Sequence, residues 1–337
     1  MILVTGGAGY IGSVLSQRLT ELKLPLRIFD QFYFGENGIS DINGRAELVK
    51  GNILNFDDSI LDKVDTVIHL AALSNDPMAE FNPEANRKIN TLSTIKLAKK
   101  AKKMKISRFI FGSSCSIYDQ GLTMDKEIKS EESKVFPRAA YSHSKYKAER
   151  ELLKLSDNDF SVIILRKGTV YGYSPRMRFD LVVNTMVKDS LSKGVIKIYG
   201  GGIHWRPLID VEDVASAYYL AMVSQKEKVS GKIFNIAFDN FLVKDLAFIV
   251  QEALDKNFNL KTKIVFEENN QKIRSYKVST GRARRILKFL PKINLENSII
   301  KMVKNLKKNS VDFDNPIYYN IDWMRPILEK EYGRQKR

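Results

Sequence analysis

The chain opens on a short apolar run, Ile2–Thr5, that stops at glycine. From Tyr10 to Leu22 the apolar residues Ile11, Val14, Leu15, Leu19 and Leu22 recur at helical spacing, and Leu26–Phe29 is apolar again. That is strand, glycine turn, helix, strand. The rhythm returns at Leu48-Val49, at Thr66–Leu70, in a helix near Pro83–Met104 and at Arg108–Phe111. It returns once more in a helix around Ser144–Leu155 and the strand Ser161–Leu165. Strands apolar on both faces, alternating with helices, predict an α/β fold with a doubly wound parallel sheet.

After Gly172 the rhythm breaks. Tyr173–Trp205 mixes a Pro-Arg loop, a helix near Leu181–Ser192 and a run of three glycines, and Pro207–Met222 reads as strand then helix. Two regions are expected: a dinucleotide-binding domain over 1–172 and a smaller, mixed, mainly substrate-binding region over 173–337. The chain is expected to return to the first domain around 207–240, because Lys232–Ala237 again reads as a buried strand. No solenoid repeat and no low-complexity linker divides the sequence.

Composition narrows the class. With 337 residues, 44% hydrophobic and 28% charged, the chain is long enough for a real core and sits in the range of a globular enzyme. One cysteine excludes an internal disulfide and a structural zinc site of several thiolates. With no basic leader and no long apolar segment, the expected setting is cytoplasmic, away from membranes. The net charge is +16, and Gly281–Arg337 holds 14 basic against 6 acidic residues, a basic C-terminal tail. Such a cluster fits either a polyanionic partner or lysines on solvated helix faces; nucleic acid is the less favoured of the two.

Between the first strand and helix stands Thr5-Gly6-Gly7-Ala8-Gly9-Tyr10-Ile11-Gly12. Glycines there permit a tight turn, backbone approach to a pyrophosphate and close helix packing, the Rossmann-type arrangement in which the diphosphate rests on the helix N-terminus. Asp30 ends the second strand 18 residues after Gly12. A carboxylate in that place bonds ribose hydroxyls and repels a 2′-phosphate, which selects NAD over NADP. Further on, Tyr141 and Lys145 lie four apart, one helical turn from each other, and Ser113-Ser114 ends a strand on the ligand-binding edge of the sheet. A phenol with a reference pKa of ~10 needs a neighbouring cation to serve as a base.

These residues, in order with His69-Leu70-Ala71-Ala72, Asn90, Ser113–Tyr118, Leu165-Arg166, Val170–Gly172 and Trp205–Pro207 leading into Asp210–Ala215, make the chain resemble the extended short-chain dehydrogenase/reductase family of nucleotide-sugar epimerases and dehydratases. The likeness covers most of residues 1–285. It implies a catalytic set of Ser114, Tyr141 and Lys145. Tyr141 is the base on a sugar hydroxyl, Lys145 holds the nicotinamide ribose, and Ser114 bonds the reacting oxygen. It places NAD on Gly6, Gly9, Tyr10, Ile11, Gly12, Asp30, Asn52, Ile53, Leu70, Ala71, Ala72, Asn90, Tyr141 and Lys145. The substrate is a nucleotide-diphosphate sugar, met by Ser114, Asn184, Arg206 and Arg274, and the assembly is a homodimer through the helices beginning near Pro83 and Tyr141.

Departures refine the expectation. Dehydratases carry Asp-Glu after the catalytic hydroxyl, where this chain has Cys115 and Ser116, so dehydration is disfavoured. Lys167-Gly168-Thr169 replaces the aromatic residues and Asn common in epimerases, and the lysine either meets an anion or points outward. His69 and His204 are read as structural, and Cys115 as packing. The leading expectation is an NAD-dependent nucleotide-sugar epimerase, most simply at C4 of a hexose. A net oxidoreductase of the same fold and a non-catalytic dinucleotide-sensing or RNA-binding relative are the alternatives.

Overall fold

The computed structural model describes residues 1–119, 127–135, 137–268 and 274–333. Its centre is a seven-stranded sheet, all parallel, in the order 232–236, 161–167, 108–114, 66–69, 2–5, 26–30, 47–50. The period of two divides each strand between two cores. Leu3, Val67, Phe109, Phe111 and Ile164 face the helices Ser93–Lys103 and Ala140–Leu153. Val4, Ile28, Ile68, Ile110 and Ile163 face the other layer, where Tyr10–Glu21 packs against Val211–Val223. Burial on both faces is why these strands read as unbroken apolar runs.

Strand order reverses between Ile2–Thr5 and Thr66–His69, which pair on opposite sides of the first strand with Leu26–Asp30. Ligands of open parallel sheets bind in the crevice at that switch point. Over it stands the second region, built from a three-stranded sheet of 239–242, 205–210 and 169–171, two strand pairs, and the helices Val182–Lys193, Val243–Phe258 and Leu295–Lys308. The strand Lys232–Ile236 is the outermost of the large sheet, beside Ser161–Lys167.

Two elements differ from the sequence expectation. The helix read over Pro83–Met104 is broken into Pro83–Asn86, a π-turn at Arg87–Leu92 and Ser93–Lys103. The break follows from Asn90, whose amide donates to Leu73 O (2.9 Å) and accepts from Leu73 N (2.8 Å). Hydroxyls of Ser93 and Thr94 take the carbonyls of Ile89 and Asn90 that the wider turn releases. The basic C-terminal segment is folded rather than loose through residue 333. Leu295–Lys308 buries Leu295, Ile299, Met302, Val303 and Leu306, while Lys301, Lys304, Lys307 and Lys308 line its outer face. Beyond it, Asn320–Tyr332 returns to the first region, where Trp323 Nε1 donates to Tyr33 O (2.7 Å).

Candidate active site

The strands' carboxyl ends open into one cleft of about 500 Å³. At its first half the backbone does most of the shaping. Gly6 has φ +73°, and a Cβ there would lie 2.6 Å from Ala71 N; one on Gly12 would lie 2.1 Å from Gly6 O. Only glycine fits either place. The helix Tyr10–Glu21 begins at Gly9 with no side-chain cap, so its first N–H groups are available to an anion. Asp30 accepts from Ala8 N (3.0 Å) and Phe32 N (2.9 Å); burial pushes its carboxyl upward and these N–H bonds work against that. Ile11, Asn52, Ile53, Leu70, Ala71 and Ala72 complete the wall. A cradle that a Cβ would fill, an uncapped helix end and a buried carboxylate fit a dinucleotide.

Two residues of the expected set lie outside this lining. Asn90 is fully buried and spends its amide on Leu73, so it shapes the wall from behind. Asn184 is likewise 0% exposed: its Oδ1 accepts from Gly172 N (3.0 Å), and its Nδ2 donates to Tyr10 Oη (3.1 Å) and Arg178 O (2.9 Å). Tyr10 Oη in turn donates to Gly172 O (2.7 Å). Asn184 therefore fastens the second region to the first helix.

Ser114, Tyr141 and Lys145 line the cleft together. Ser114 Oγ accepts from Ser116 N (3.1 Å) at the strand end. Tyr141 stands in the first turn of Ala140–Leu153, and Lys145 a turn later donates to Gly112 O (3.0 Å), 5.9 Å from the Tyr141 ring centre. Burial, then the Lys167 charge, pull Lys145 down to about 7. Burial, then Asp76, raise the Tyr141 phenol above its ordinary value, with Arg178 and Arg274 opposing. Beneath lies a buried ion pair, Arg166 to Glu149 at 2.6 Å, in which Arg166 also donates to Tyr118 Oη (2.7 Å) and Ser113 Oγ donates to Glu149.

Lys167 points inward. Its Nζ donates to Ser113 O (2.7 Å) and Tyr218 Oη (3.2 Å), it lines the cleft, and burial pulls it down to about 7. The substrate side is ionic. Arg206 donates to Trp205 O (2.9 Å) and to Arg274 O, with its guanidinium 5.8 Å from the Tyr276 ring centre. Arg274 is paired with Asp76 at 2.6 Å. Sequence reading missed Arg176, Arg178, Asp180 and Asn320 here. Arg178 grips Asp180 with two bonds of 2.8 Å, and Arg176 donates to Asn320 Oδ1 (2.6 Å). The Pro-Arg loop was a visible signal for the arginines, whereas nothing announced Asn320, which arrives from 144 positions away.

The other candidates for chemistry have structural partners. His69 shares its ring nitrogens with Thr5 Oγ1 (2.6 Å) and Thr94 Oγ1 (2.8 Å), and burial lowers it to about 3. Cys115 Sγ donates to Arg166 O (3.1 Å), and burial pushes its thiol upward.

A seven-stranded parallel sheet with a glycine-cradled cleft and a Ser-Tyr-Lys set defines a dinucleotide-dependent oxidoreductase architecture. Residues 2–237 match the NAD dependent epimerase/dehydratase family, and the chain belongs to it. NAD is accordingly its cofactor. The chain is 28% identical over 317 residues to UDP-glucuronic acid decarboxylase 2 of Arabidopsis thaliana, covering 91% of this chain and 68% of that one. It is 32% identical over 237 residues to a putative UDP-glucose 4-epimerase of Methanocaldococcus jannaschii, covering 68% and 76%. In fold it is similar to UDP-glucuronic acid 4-epimerase from Bacillus cereus, with TM-score 0.80, 24% identity and coverage of 91% and 99%. Its relatives are thus UDP-sugar epimerases and decarboxylases. No helix among the described residues is long and apolar enough to cross a membrane.

Proposed function

We propose that the protein is an NAD-dependent epimerase of nucleotide-diphosphate hexoses, acting at C4. The observation that carries the reading is the meeting of Ser114, Tyr141 and Lys145 in one cleft, with Cys115 and Ser116 where a dehydratase places its carboxylates. Lys145, anchored on Gly112 O, holds the nicotinamide ribose and supplies the cation that brings the buried Tyr141 phenol toward phenolate. When bound, NAD supplies the acceptor, and later the donor, of hydride at the sugar carbon. Tyr141 Oη takes the proton of the C4 hydroxyl, leaving a 4-keto sugar, and returns it to the carbonyl oxygen after the sugar has turned its other face. Ser114 Oγ bonds that oxygen throughout.

With Arg274 engaged by Asp76, Arg206 is the group proposed to meet the substrate diphosphate; its burial beside Tyr276 supports this, since a desolvated guanidinium gains most from a phosphate. A homodimer through the helices Pro83–Lys103 and Ala140–Leu153 is part of the proposal, and sedimentation checks it. The reaction is tested by incubating NAD-loaded protein with UDP-, dTDP- and GDP-hexoses and following the C4 configuration by NMR. Interconversion that disappears in Tyr141→Phe is the expected result. Steady accumulation of reduced nicotinamide, or release of carbon dioxide from a uronic acid, overturns it in favour of a net oxidoreductase or a decarboxylase.

A further inference from the structure

Two ion pairs stand in the substrate half of the cleft, and only one is complete. Arg178 and Asp180 meet through two bonds of 2.8 Å, and Asp180 also accepts from Asn75 Nδ2 (3.1 Å). Arg274 and Asp76 meet through one, Nη2 to Oδ2 at 2.6 Å. Their remaining atoms, Asp76 Oδ1 and Arg274 Nη1, are both buried and have no hydrogen-bond partner among the described residues. An unpaired acceptor and an unpaired donor, side by side and out of water, are a costly combination. Native structures keep such atoms where something outside the chain completes them. Both side chains line the cleft, and both charges act on Tyr141, which puts them beside the reacting sugar.

We propose that Asp76 and Arg274 together read one hydroxyl of the hexose, and that this makes the site select a neutral hydroxylated hexose over a hexuronic acid. The inference rests on the nucleotide-hexose reading given above. A hydroxyl is one donor and an acceptor at once. It gives its proton to Asp76 Oδ1 and receives one from Arg274 Nη1, completing both. A uronate carboxylate has no proton to give and sets a second negative charge against Asp76. The cations near Tyr141 offer it little, because Arg178 is already held by Asp180 and Arg274 by Asp76. Asp76 thereby acts as a specificity-determining residue.

The test is equilibrium binding by calorimetry to NAD-loaded wild type and Asp76→Asn, with UDP, UDP-glucose and UDP-glucuronic acid as probes. Wild type is expected to hold UDP-glucose more tightly than UDP-glucuronic acid. Asp76→Asn narrows that preference by about tenfold or more, since hydrogen bonds to charged groups are among the stronger ones, while UDP affinity stays unchanged. A wild-type preference for the uronic acid, or an unchanged preference in the variant, overturns the inference and leaves the epimerase reading standing. Failure of wild type to bind either sugar nucleotide while it binds NAD overturns both. Single-deoxy UDP-glucose analogues provide a check on wild type that needs no variant. One of them should bind about tenfold or more weakly, and equal binding of all of them overturns the inference.

Discussion

The two halves of the cleft are made of different materials. On the cofactor side the recognising groups are backbone: the turn at Gly6–Gly12, an uncapped helix end and the strand-end run Leu70–Ala72, with Asp30 as the one charged group. On the substrate side they are long charged side chains, Arg178 with Asp180, Arg274 with Asp76, and Arg206 over Tyr276. A site made of backbone is fixed by steric demands on a few adjacent residues, and it suits a ligand that stays the same across a family. A site made of ion pairs between distant segments can be rebuilt one side chain at a time, which suits a substrate that differs from relative to relative.

That division is open to experiment. The largest effect is expected where the halves meet: Tyr141→Phe should lower turnover by about 10²–10⁴-fold, the usual range for a removed acid–base group, with both ligands still bound. Next, Arg206→Ala should weaken nucleotide-sugar binding by about 10–100-fold, the worth of a hydrogen bond to a charged group, and leave NAD affinity alone. Gly12→Ala is its mirror image. A methyl group 2.1 Å from Gly6 O forces the turn apart at a cost of about 1–3 kcal/mol, and titration should show NAD affinity down about tenfold or more with UDP binding intact. If either variant damages both ligands equally, the halves are one unit and the comparison fails.

The smallest effect concerns Lys167→Met. Lys145 and Lys167 are both depressed to about 7 by burial, so between about pH 7 and the ordinary lysine range the unfolded chain carries more protons than the folded one. Stability of the cofactor-free protein therefore rises with pH across that window. Lys167→Met should flatten the rise, measured by denaturant midpoints at pH 7 and 9. It should also raise the Lys145 pKa, because the neighbouring charge is gone.

How much was legible follows the same division. The parallel sheet, the glycine turn, Asp30 and the Tyr141–Lys145 spacing are local patterns, and period, turn chemistry and strand ends expose them. Lys167 was noticed but its direction was not, because side-chain aim depends on Tyr218 from a helix fifty residues later. Asn184 was read as a ligand contact because polarity alone does not tell a site residue from a buried fastener. Asn320 and the Asp76–Arg274 pair were invisible: each joins segments about 150 to 250 residues apart, a relation that no spacing in one sequence encodes.

The π-turn at Arg87–Leu92 holds one residue more than a regular helix needs, which makes it a counter of register. Deleting a single residue there would rebuild an ordinary α-helix, yet everything beyond it would turn by about 100° about the axis. Leu97, Ala98 and Ala101, now inside, would swing toward water, and Asn90 would lose its hold on Leu73. The chain's tolerance of length change is thus lowest in a helix that touches no ligand, and insertions or deletions that drift freely through surface loops would be purged from this one turn.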